Sequence, residues 1–279
     1  MHLKRDVSAL ILAGGKGTRL RPLTDSVPKP MLPFNNKPMI LHIIDQLGEQ
    51  GIDNIIVSKN REQRMDLERV VFCDEKTFLG TAAPIKRAQK LIKTNYFYVI
   101  NCDIKAKIDF NMKINTSQVG TILITKVQDW QRYGVVKFEG DVVKAFCEKP
   151  KQFVSNYINA GVYFFNRRIF EFLDGSSIER DVFPKLADQS LLGCKLHATE
   201  WADVGTLEGY LKQTSTADYI CINSVVINCV VLSGAVIVNS VLKDSVIGWL
   251  FIITDSKLEK CIVGKGRVMA NEQLVNKRV

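Results

Sequence analysis

Residues 7–24 have the sequence VSALILAGGKGTRLRPLT, in which a short apolar run leads directly into a glycine-rich loop. The run at 7–12 is rich in aliphatic residues and has the length of a buried strand in an α/β fold. Such folds bind ligands at the carboxyl ends of their strands, and glycines let backbone N–H groups approach a phosphate closely. The stretch therefore predicts an α/β fold with an anion-binding loop after its first strand.

The loop differs from two common phosphate-binding motifs. No GxxxxGK[ST] pattern can be written in it, and Leu20 stands where a dinucleotide fingerprint has its third glycine. Two cations are close by in sequence, Arg19 on the loop and Lys29 between Pro28 and Pro30. Arginine can bridge two phosphate oxygens while lysine supplies a point charge, so both can offset the charge of a leaving pyrophosphate. The alternative is a structural turn with solvated cations.

The remainder of the first two thirds alternates short apolar runs with amphipathic ones. Strands are predicted at 54–58, 70–73 and 96–101, and helices after 37–38, at 60–69 and at 81–92. This alternation predicts a doubly wound α/β domain. Strands dominate from 119 to 165, and Ser176 with Glu179 has the spacing of a capping box ahead of a further helix.

Beyond about residue 216 the sequence becomes periodic. A small residue followed by aliphatics recurs at spacings of 5 and 11, a repeat of 16, at Ser224, Cys229, Ser240, Ser245, Ser256 and Cys261. This period favours about two and a half stacked coils of a β-helix over an ordinary β-meander. We therefore expect domains at 1–216 and 217–279. An open β-helix end is an exposed sheet edge, so we also expect a homo-oligomer.

Composition narrows the class of protein. The 279 residues are 46% hydrophobic and 24% charged, which is typical of globular proteins. The net charge of +9 is scattered without interleaved aromatics, which argues against a nucleic-acid surface. No apolar stretch approaches the ~18 residues of a membrane helix, and the seven cysteines form no CxxC pair. We expect a cytoplasmic protein with small-molecule substrates, without nucleic-acid or membrane partners, and with cysteines that are small buried residues.

Further motifs extend the pattern along the chain. After the loop and PKPM at 28–31, they are LGTAAPI (79–85), NCD (101–103), YGVV (133–136), FCEKP (146–150), INAGVY (158–163), SIERDVFPKLA (177–187) and WADVG (201–205). Together they resemble the sugar-1-phosphate nucleotidyltransferases, and within that family they are most similar to the guanylyltransferases that act on mannose 1-phosphate. The resemblance implies a Rossmann-like nucleotidyltransferase domain followed by a short left-handed β-helix.

The resemblance also implies roles for individual residues. Arg19 and Lys29 would be catalytic. Asp103 follows the strand at 96–101, where a carboxylate can hold Mg²⁺, and the resemblance adds Asp203 as a second ligand. The nucleotide would be bound by Leu12, Ala13, Gly14, Gly15, Gly17, Thr18, Gly80 and Thr81, although Thr81 could instead cap a helix.

For the sugar phosphate, the resemblance gives Glu148 as acceptor for sugar hydroxyls and Lys149 as phosphate contact. Gly134, Asn159 and Gly161 would line the sugar. The alternatives are a surface salt bridge for the charged pair and turn or bulge chemistry for the other three.

The implied reaction joins a sugar 1-phosphate to a nucleoside triphosphate and releases pyrophosphate. GTP and mannose 1-phosphate are the substrates favoured by the resemblance, with GDP-mannose as product. Glucose 1-phosphate with UTP, ATP or dTTP is one alternative. A non-catalytic regulatory subunit or nucleotide-sugar sensor of the same fold is another, although Arg19, Lys29, Asp103, Lys149 and Asp203 are all present.

Overall fold

The computed structural model describes residues 7–35, 37–76, 79–213 and 217–279, and its fold is mixed α/β. The α-helices of these residues are α1 (Leu23–Ser26), α2 (Met39–Glu49), α3 (Ala82–Ala88), α4 (Phe183–Asp188) and α5 (Leu207–Gln213). The strands of the first 203 residues are β1 (Val7–Leu12), β2 (Pro33–Phe34), β3 (Lys37–Pro38), β4 (Asn54–Asn60), β5 (Val70–Glu75), β6 (Tyr96–Asn101), β7 (Ile104–Ala106), β8 (Gly120–Lys126), β9 (Gly134–Glu139), β10 (Val142–Glu148), β11 (Tyr157–Asn166), β12 (Leu192–Leu196) and β13 (Trp201–Asp203).

The strands that follow are two or three residues long. They are β14 (Ile220–Ile222), β15 (Val225–Ile227), β16 (Val230–Val231), β17 (Val236–Val238), β18 (Val241–Lys243), β19 (Val246–Ile247), β20 (Ile252–Thr254), β21 (Lys257–Glu259), β22 (Ile262–Val263), β23 (Val268–Ala270) and β24 (Gln273–Val275). Every helix among the described residues is too short or too polar to cross a bilayer.

The first of two compact units, here the sheet unit, consists of the described parts of Met1–Gly15 and Ile43–Trp201. It is built on a nine-stranded sheet of order β5-β4-β1-β6-β11-β8-β12-β10-β9. The strands β5, β4, β1 and β6 are parallel, as are β8 and β12, and the other neighbours run antiparallel. The predicted α/β class is confirmed, with a sheet that is parallel only in part.

The sheet is covered on both faces, which explains the nearly continuous apolar runs of its central strands. On one face Phe97 and Val99 of β6 belong to a core that includes residues of α3 and α4. On the other face the Tyr98 ring stacks on Phe164 at 4.5 Å and meets Phe110 edge-on at 4.9 Å. The core of this unit therefore lies on both sides of β6.

The helix predicted at 60–69 is wrong. Strand β4 extends to Asn60, β5 begins at Val70, and the chain between them has no helix. Only Met65 is buried between these strands, so the segment has no apolar stripe for a helix to pack with.

The capping box is also displaced. Ser177, not Ser176, is the N-cap, because its hydroxyl accepts from the Arg180 N–H at the start of a π-helical turn at Ile178–Val182. The backbone N–H groups of both serines donate to the Asp181 carboxylate, each at 2.8 Å. Glu179, predicted to complete the box, accepts from other side chains instead.

The second unit, here the coil unit, consists of the described parts of Lys16–His42 and Ala202–Val279. Its coils form three parallel sheets: a first sheet β14-β17-β20-β23, a second sheet β15-β18-β21-β24 and a third sheet β16-β19-β22. Ile220, Val236, Ile252 and Val268 pair in register, which confirms the 16-residue repeat and the predicted left-handed β-helix.

The expected two and a half coils are too few. The first and second sheets each contain four strands, one from each coil. An isolated bridge from Ile262 to Arg278 extends the third sheet into the fourth coil. The repeat continues where its serine is missing, because the Glu272 backbone N–H bonds to the Ser256 hydroxyl at 3.0 Å.

The recurring small residues form hydrogen-bonded columns inside the corners. The Ser240 hydroxyl donates to the Val238 carbonyl at 2.7 Å and accepts from the Ser256 N–H one coil later at 3.0 Å. Ser245 makes the equivalent bonds to Lys243 and Cys261. The spacing of 16 thus places each small polar side chain under the backbone of the next coil.

The third sheet turns its outer face towards the rest of the coil unit. Val230, Val246 and Ile262 are at most 1% exposed and share a core with Leu20, Leu23, Leu32, Phe34 and Tyr210. The compact units therefore do not coincide with the predicted domains 1–216 and 217–279, since Lys16–His42 groups with the coils. Residue 216 itself lies outside the described residues, and the boundary there stays a prediction about sequence pattern.

Candidate active site

The carboxyl edge of the parallel strands gathers much of the predicted nucleotide site. Leu12 of β1 is in register with Ser58 of β4 on one side and with Asn101 of β6 on the other. The residues that follow these strands, Gly14 and Asp103 among them, therefore leave the sheet at the same edge. The later strands β4 and β6 pair with β1 on opposite sides. The carboxyl end of β1 is therefore a topological switch point, where α/β folds bind ligands.

The start of the glycine loop is held by the sheet. The Ala13 N–H donates to the Ser58 carbonyl at 2.8 Å, and the Leu12 carbonyl accepts from Cys102 at 3.4 Å. These backbone groups of Leu12 and Ala13 are therefore used within the fold. Apart from the two chain neighbours of Gly15, no atom of the described residues lies within 4 Å of where a Cβ of Gly15 would stand, so the loop is open to them there.

Glu75, which was not among the predicted site residues, lies against this loop. A Cβ on Gly14 would stand 2.7 Å from Glu75 Oε1, so any other residue there would force the Glu75 carboxyl group to shift. Glu75 is 3% exposed and its Oε1 accepts from the Ser58 hydroxyl at 2.7 Å. Burial raises the pKa of the Glu75 carboxyl, while the Ser58 bond and the charge of Arg87 oppose the rise. Ser58 is the only side-chain hydrogen-bond partner of Glu75 among the described residues.

The second half of the loop belongs to the coil unit. Gly17 has a φ of +63°, and the Thr24 hydroxyl donates to its carbonyl at 3.0 Å. Thr18 begins a single 3₁₀ turn that carries Arg19, and Lys29 is buried, with its Cβ 3.0 Å from where a Cβ of Gly17 would stand. The structure therefore brings Gly17, Thr24 and Lys29 together.

Arg19 and Asp203 also meet within the coil unit. Arg19 Nη1 lies 3.8 Å from Asp203 Oδ2, and the other carboxylate oxygen accepts from the Gly205 N–H at 2.7 Å. The Arg19 side chain is 59% exposed and that of Asp203 14%. An exposed guanidinium held weakly by one carboxylate can exchange that contact for a phosphate.

The predicted metal ligands are Asp103, half-buried in the sheet unit, and Asp203 in the coil unit. No group of three or more acidic, histidine or cysteine side chains in the described ranges is arranged so that it could hold a metal ion. Mg²⁺ commonly takes one or two carboxylates and completes its octahedron with waters and substrate phosphates. The chemistry of these two carboxylates fits such a substrate-dependent site and does not fit an all-protein cage.

Glu148 and Lys149 lie where β10 ends. Glu148 is in register with Gly134 of β9, and a Cβ on that glycine would stand 3.0 Å from Glu148 Oε2. Lys149 Nζ lies 3.4 Å from Glu148 Oε1, and the backbone N–H of Lys149 donates to the Tyr133 carbonyl at 3.0 Å. Burial raises the pKa of Glu148, Lys149 lowers it, and the nearby charge of Glu179 raises it further.

Asn159 and Gly161 occupy an irregular part of β11. Asn159 donates to the Tyr163 hydroxyl and accepts from the Gly161 N–H, both at 2.9 Å. Gly161 has a φ of +78°, and a Cβ there would stand 2.9 Å from Asn101 Nδ2. Burial raises the pKa of Tyr163 well above its ordinary value, with Glu179 and Glu148 adding to the rise. Asn101, Tyr163 and Glu179 therefore join the predicted sugar-site residues in one cluster.

The last predicted pair, Gly80 and Thr81, contacts the π-helical turn. Gly80 has a φ of +91°, and a Cβ there would stand 2.2 Å from the Ser176 carbonyl oxygen. The Thr81 hydroxyl donates to Glu179 at 2.5 Å and accepts from the Ile178 N–H at 3.0 Å, so it does not cap its own helix. The Thr81 side chain therefore connects α3 to the π-helical turn.

Glu75 and Glu179 were not predicted as site residues, although the sequence held a signal for each. Cys73 and Glu75 are both buried and Asp74 between them is exposed, which is the alternation of a strand. Extending the predicted strand at 70–73 by two residues would have turned Glu75 inwards. Glu179 lies within the SIERDVFPKLA motif, where the capping-box interpretation concealed its contact with Thr81.

Comparisons with known proteins bear on the family and the fold of the chain. A family model described as nucleotidyl transferase matches residues 8–218. Two curated relatives, from Drosophila pseudoobscura pseudoobscura and Danio rerio, are named mannose-1-phosphate guanylyltransferase catalytic subunit beta. Each is 38% identical, over 223 residues (73% of this chain) and 229 residues (74%) respectively. The chain spans 60% and 63% of the lengths of these relatives.

A solved structure supports the fold alone. It is a Bacillus anthracis protein described as a glucose-1-phosphate thymidylyltransferase, with a TM-score of 0.65 and 22% sequence identity. The match covers 74% of this chain and 93% of the solved one.

Proposed function

This chain belongs to the nucleotidyl transferase family, and from that premise we propose that it transfers a nucleotidyl group from GTP to mannose 1-phosphate. The products would be GDP-mannose and pyrophosphate. The observation that carries the proposal is the 38% identity, over almost three quarters of the chain, to relatives named as mannose-1-phosphate guanylyltransferases.

The chemistry needs no covalent enzyme intermediate. An oxygen of the sugar phosphate attacks the α-phosphorus of the triphosphate, the new P–O bond forms, and the bond to the β-phosphate oxygen breaks as pyrophosphate leaves. The sugar phosphate is already an anion, so the protein has to align the reactants and offset charge. Arg19 and Lys29 supply positive charge on the glycine loop and its extension, and the open face at Gly15 leaves room for the phosphates.

We propose Mg²⁺ as the cofactor, held by Asp103 and Asp203 together with substrate oxygens. When bound, the ion would neutralise charge on the triphosphate. Asp103→Asn and Asp203→Asn should each raise the Mg²⁺ concentration needed for half-maximal turnover, because an amide oxygen is a poorer ligand than a carboxylate for a hard cation. The exposed Asp66→Asn is the control. An unchanged Mg²⁺ requirement in both variants would contradict the assignment.

At the sugar end, the Glu148 carboxylate would accept sugar hydroxyls and Lys149 would contact the phosphate. This proposal is supported by the half-exposed Lys149 ammonium beside a largely buried carboxylate, since a sugar phosphate offers hydroxyl donors and an anion at similar spacing. Gly134, Asn159 and Gly161 would line the sugar, since the two glycines let Glu148 and Asn101 come close to the backbone there.

The decisive experiment is a substrate matrix. Purified protein would be incubated with Mg²⁺, each of GTP, ATP, UTP, CTP and dTTP, and each of mannose, glucose, galactose and fucose 1-phosphates, and pyrophosphate release measured. Highest turnover is expected for GTP with mannose 1-phosphate. Preference for glucose 1-phosphate with another nucleotide would replace these substrates, and no turnover in any combination would favour a regulatory subunit or sensor.

Glu75 supplies a candidate determinant for the base. Guanine offers two adjacent donors, N1–H and the N2 amino group, which match a carboxylate. Uracil and thymine present a single N–H between two carbonyl oxygens, which a carboxylate repels. Glu75 is a buried acceptor against Gly14 at the edge where the nucleotide would lie, and it has one side-chain donor among the residues described. We therefore assign guanine selection to Glu75.

Glu75→Gln tests this assignment. The amide has one donor and one acceptor, so kcat/KM for GTP should fall by about 10- to 100-fold, because a hydrogen bond to a charged group is worth about 1.5–3 kcal/mol. The ratio of GTP to UTP turnover should fall with it. The exposed Glu68→Gln is the matched control, and an unchanged ratio in Glu75→Gln would contradict the role.

We also propose that two copies associate through the coils. The outward column Ile220, Val236, Ile252 and Val268 of the first sheet is aliphatic and partly to largely exposed, and an uncharged face can pair with its own copy about a two-fold axis. Light scattering should give a dimer or larger that Ile252→Glu dissociates, whereas Val241→Glu on the second sheet should not. A monomeric parent protein would contradict the proposal.

All seven cysteines are free, which supports a reducing compartment such as the cytoplasm.

A further inference from the structure

The coil unit contains a cavity of about 620 Å³ that the proposed reaction does not use. It lies between α5 and the corner of the coils where Asn228, Asp244, Lys260 and Asn276 recur every 16 residues. Its volume falls within the range of pockets that hold small organic molecules.

One wall of this cavity is apolar. Leu207 and Leu211 of α5 are partly buried, and Ile262 of the third sheet is 1% exposed. A bare inorganic ion would gain nothing from this wall, whereas a ligand with an apolar or planar body would bury surface against it.

The polar side of the cavity has an excess of positive charge. Its two acids already have partners, since Asp244 accepts from Asn228 at 2.6 Å and Glu208 pairs with Lys212 at 2.8 Å. Lys260 and Lys277 are exposed and form no ion pair with any other described residue. An anionic group at this side would meet two unneutralised ammonium groups.

Arg278, which also lines the cavity, bonds to the glycine loop. Its Nη1 donates to the Thr18 carbonyl at 3.0 Å and lies 3.4 Å from the Arg21 carbonyl, on either side of Arg19. A charged oxygen is a stronger acceptor than a neutral carbonyl, so an anion in the cavity would compete for this guanidinium.

We propose that this cavity is a binding site for a small organic anion, an apolar body carrying a phosphate or similar group, and that its occupancy acts on the Thr18–Arg21 turn through Arg278. The binding stands independently of the reaction. The effect on turnover rests on the proposed function.

Calorimetric titration with 1-naphthyl phosphate tests the binding without any substrate. The full chain would be compared with the double variant Lys260→Glu/Lys277→Glu and with a matched charge reversal at exposed coil positions, Lys257→Glu/Lys265→Glu. The parent and the matched variant should bind with similar Kd, and the cavity variant at least about 10-fold more weakly, since it replaces two attractive charges by repulsive ones.

Three outcomes would overturn the site. These are no binding to the parent at millimolar probe, equal affinity in the cavity variant, or equal weakening in both variants, which would indicate general charge attraction. Thermal melts establish that each variant is folded, and Lys277→Gln replaces the double reversal if that variant is unstable.

A second readout addresses the connection to the loop. Near its Kd, 1-naphthyl phosphate should change the turnover of the parent and the matched variant and leave that of the cavity variant unchanged. Calorimetric binding without any change in turnover would overturn the role of Arg278. A parent protein with no turnover would refute the proposed function and leave the binding result standing.

Discussion

Arg19 and Lys29 have the same predicted role but are held differently. Arg19 is largely exposed and pairs with Asp203, whereas Lys29 is buried against Gly17. We expect Arg19→Ala and Lys29→Met each to lower turnover by ~10²-fold or more, because each removes one preorganised charge from the transition state. Methionine is chosen at 29 because it preserves the buried aliphatic chain. Steady-state pyrophosphate release measures the effect.

Arg21→Ala is the control for both variants. Arg21 is on the same loop, but its side chain is half-exposed and pairs with Asp25 at 3.0 Å. It should retain near-parental turnover. If Arg19→Ala or Lys29→Met were equally active while folded, the loop would not carry the catalytic charge.

Glu75 should make stability depend on pH. Burial raises the pKa of Glu75, so between the ordinary glutamate value of about 4.3 and the raised value the folded state binds more protons than the unfolded state. Stability is therefore lost as pH rises through that window. Glu75→Gln removes the buried charge and keeps an acceptor for Ser58, so it should raise the free energy of unfolding at pH 8.

That gain should shrink towards zero as the pH falls below about 4, where the parent carboxyl is protonated in both states. Denaturant titration at pH 8 and pH 4 would measure it, with Glu68→Gln expected to show no such pH-dependent difference. A Glu75→Gln variant that is less stable than the parent at pH 8 would show that the charge is compensated.

Among the single residues of the candidate site, residue type and motif spacing identified the charged candidates. The site residues that were not predicted were identified only from the contacts that the structure shows. Arg19 and Asp203 are far apart in sequence, and the resemblance named both before the structure showed their 3.8 Å contact. No motif gave Glu75 or Glu179 a role in the site. Their positions depend on which way a strand end and a π-helical turn point, and local sequence does not determine this.

Among the elements, the coils provide a sharp test of the hydrogen-bonded columns. Ser240→Ala should destabilise the coil unit by about 1–3 kcal/mol, because the Ser256 N–H would be left buried without an acceptor. Ser240→Cys should cost less, since Cys229 occupies the equivalent position in the other column and accepts from the Ser245 N–H at 3.4 Å. Thermal melts followed by circular dichroism would measure both.

The exposed Ser233→Ala is the matched control and should be close to neutral. Loss of stability in Ser240→Ala no greater than in Ser233→Ala would mean that the columns follow from the coil geometry and do not support it.

Repetition in the sequence explains which elements could be predicted. A 16-residue period repeated over several coils is a strong signal, because each coil must present the same columns to its neighbours. The segment at 60–69 has a helix-compatible composition but only Met65 buried, so its conformation depends on the strands that flank it.

In the whole molecule, the coils support the loop that carries Arg19 and Lys29. The third sheet shares a core with Leu20 and Leu32 of that segment. We expect Val246→Asp, which places a charge in this core, to lower both the melting temperature and turnover. Deletion of 217–279 should abolish turnover for the same reason.

Val241→Asp is the control, since Val241 lies on the outer face of the second sheet and is 41% exposed. It should change neither quantity appreciably. If the deleted chain stayed soluble and fully active, the motifs from 14 to 205 would be sufficient without the coils. Sequence pattern alone does not indicate which segment the coils support, because the segment and the coils are separated by most of the chain.

This separation has a consequence for synthesis on the ribosome. The segment Lys16–His42 is synthesised well before the later residues that share its core, which begin at Val204 and include the coils beyond. At translation rates of roughly 5–20 residues per second, the apolar side chains of this segment remain without these core partners for a time on the order of ten seconds. The nascent chain therefore exposes Leu20, Leu32 and Phe34 during elongation. Binding by a holdase chaperone at this segment should be strongest in that interval and end once the coils are made.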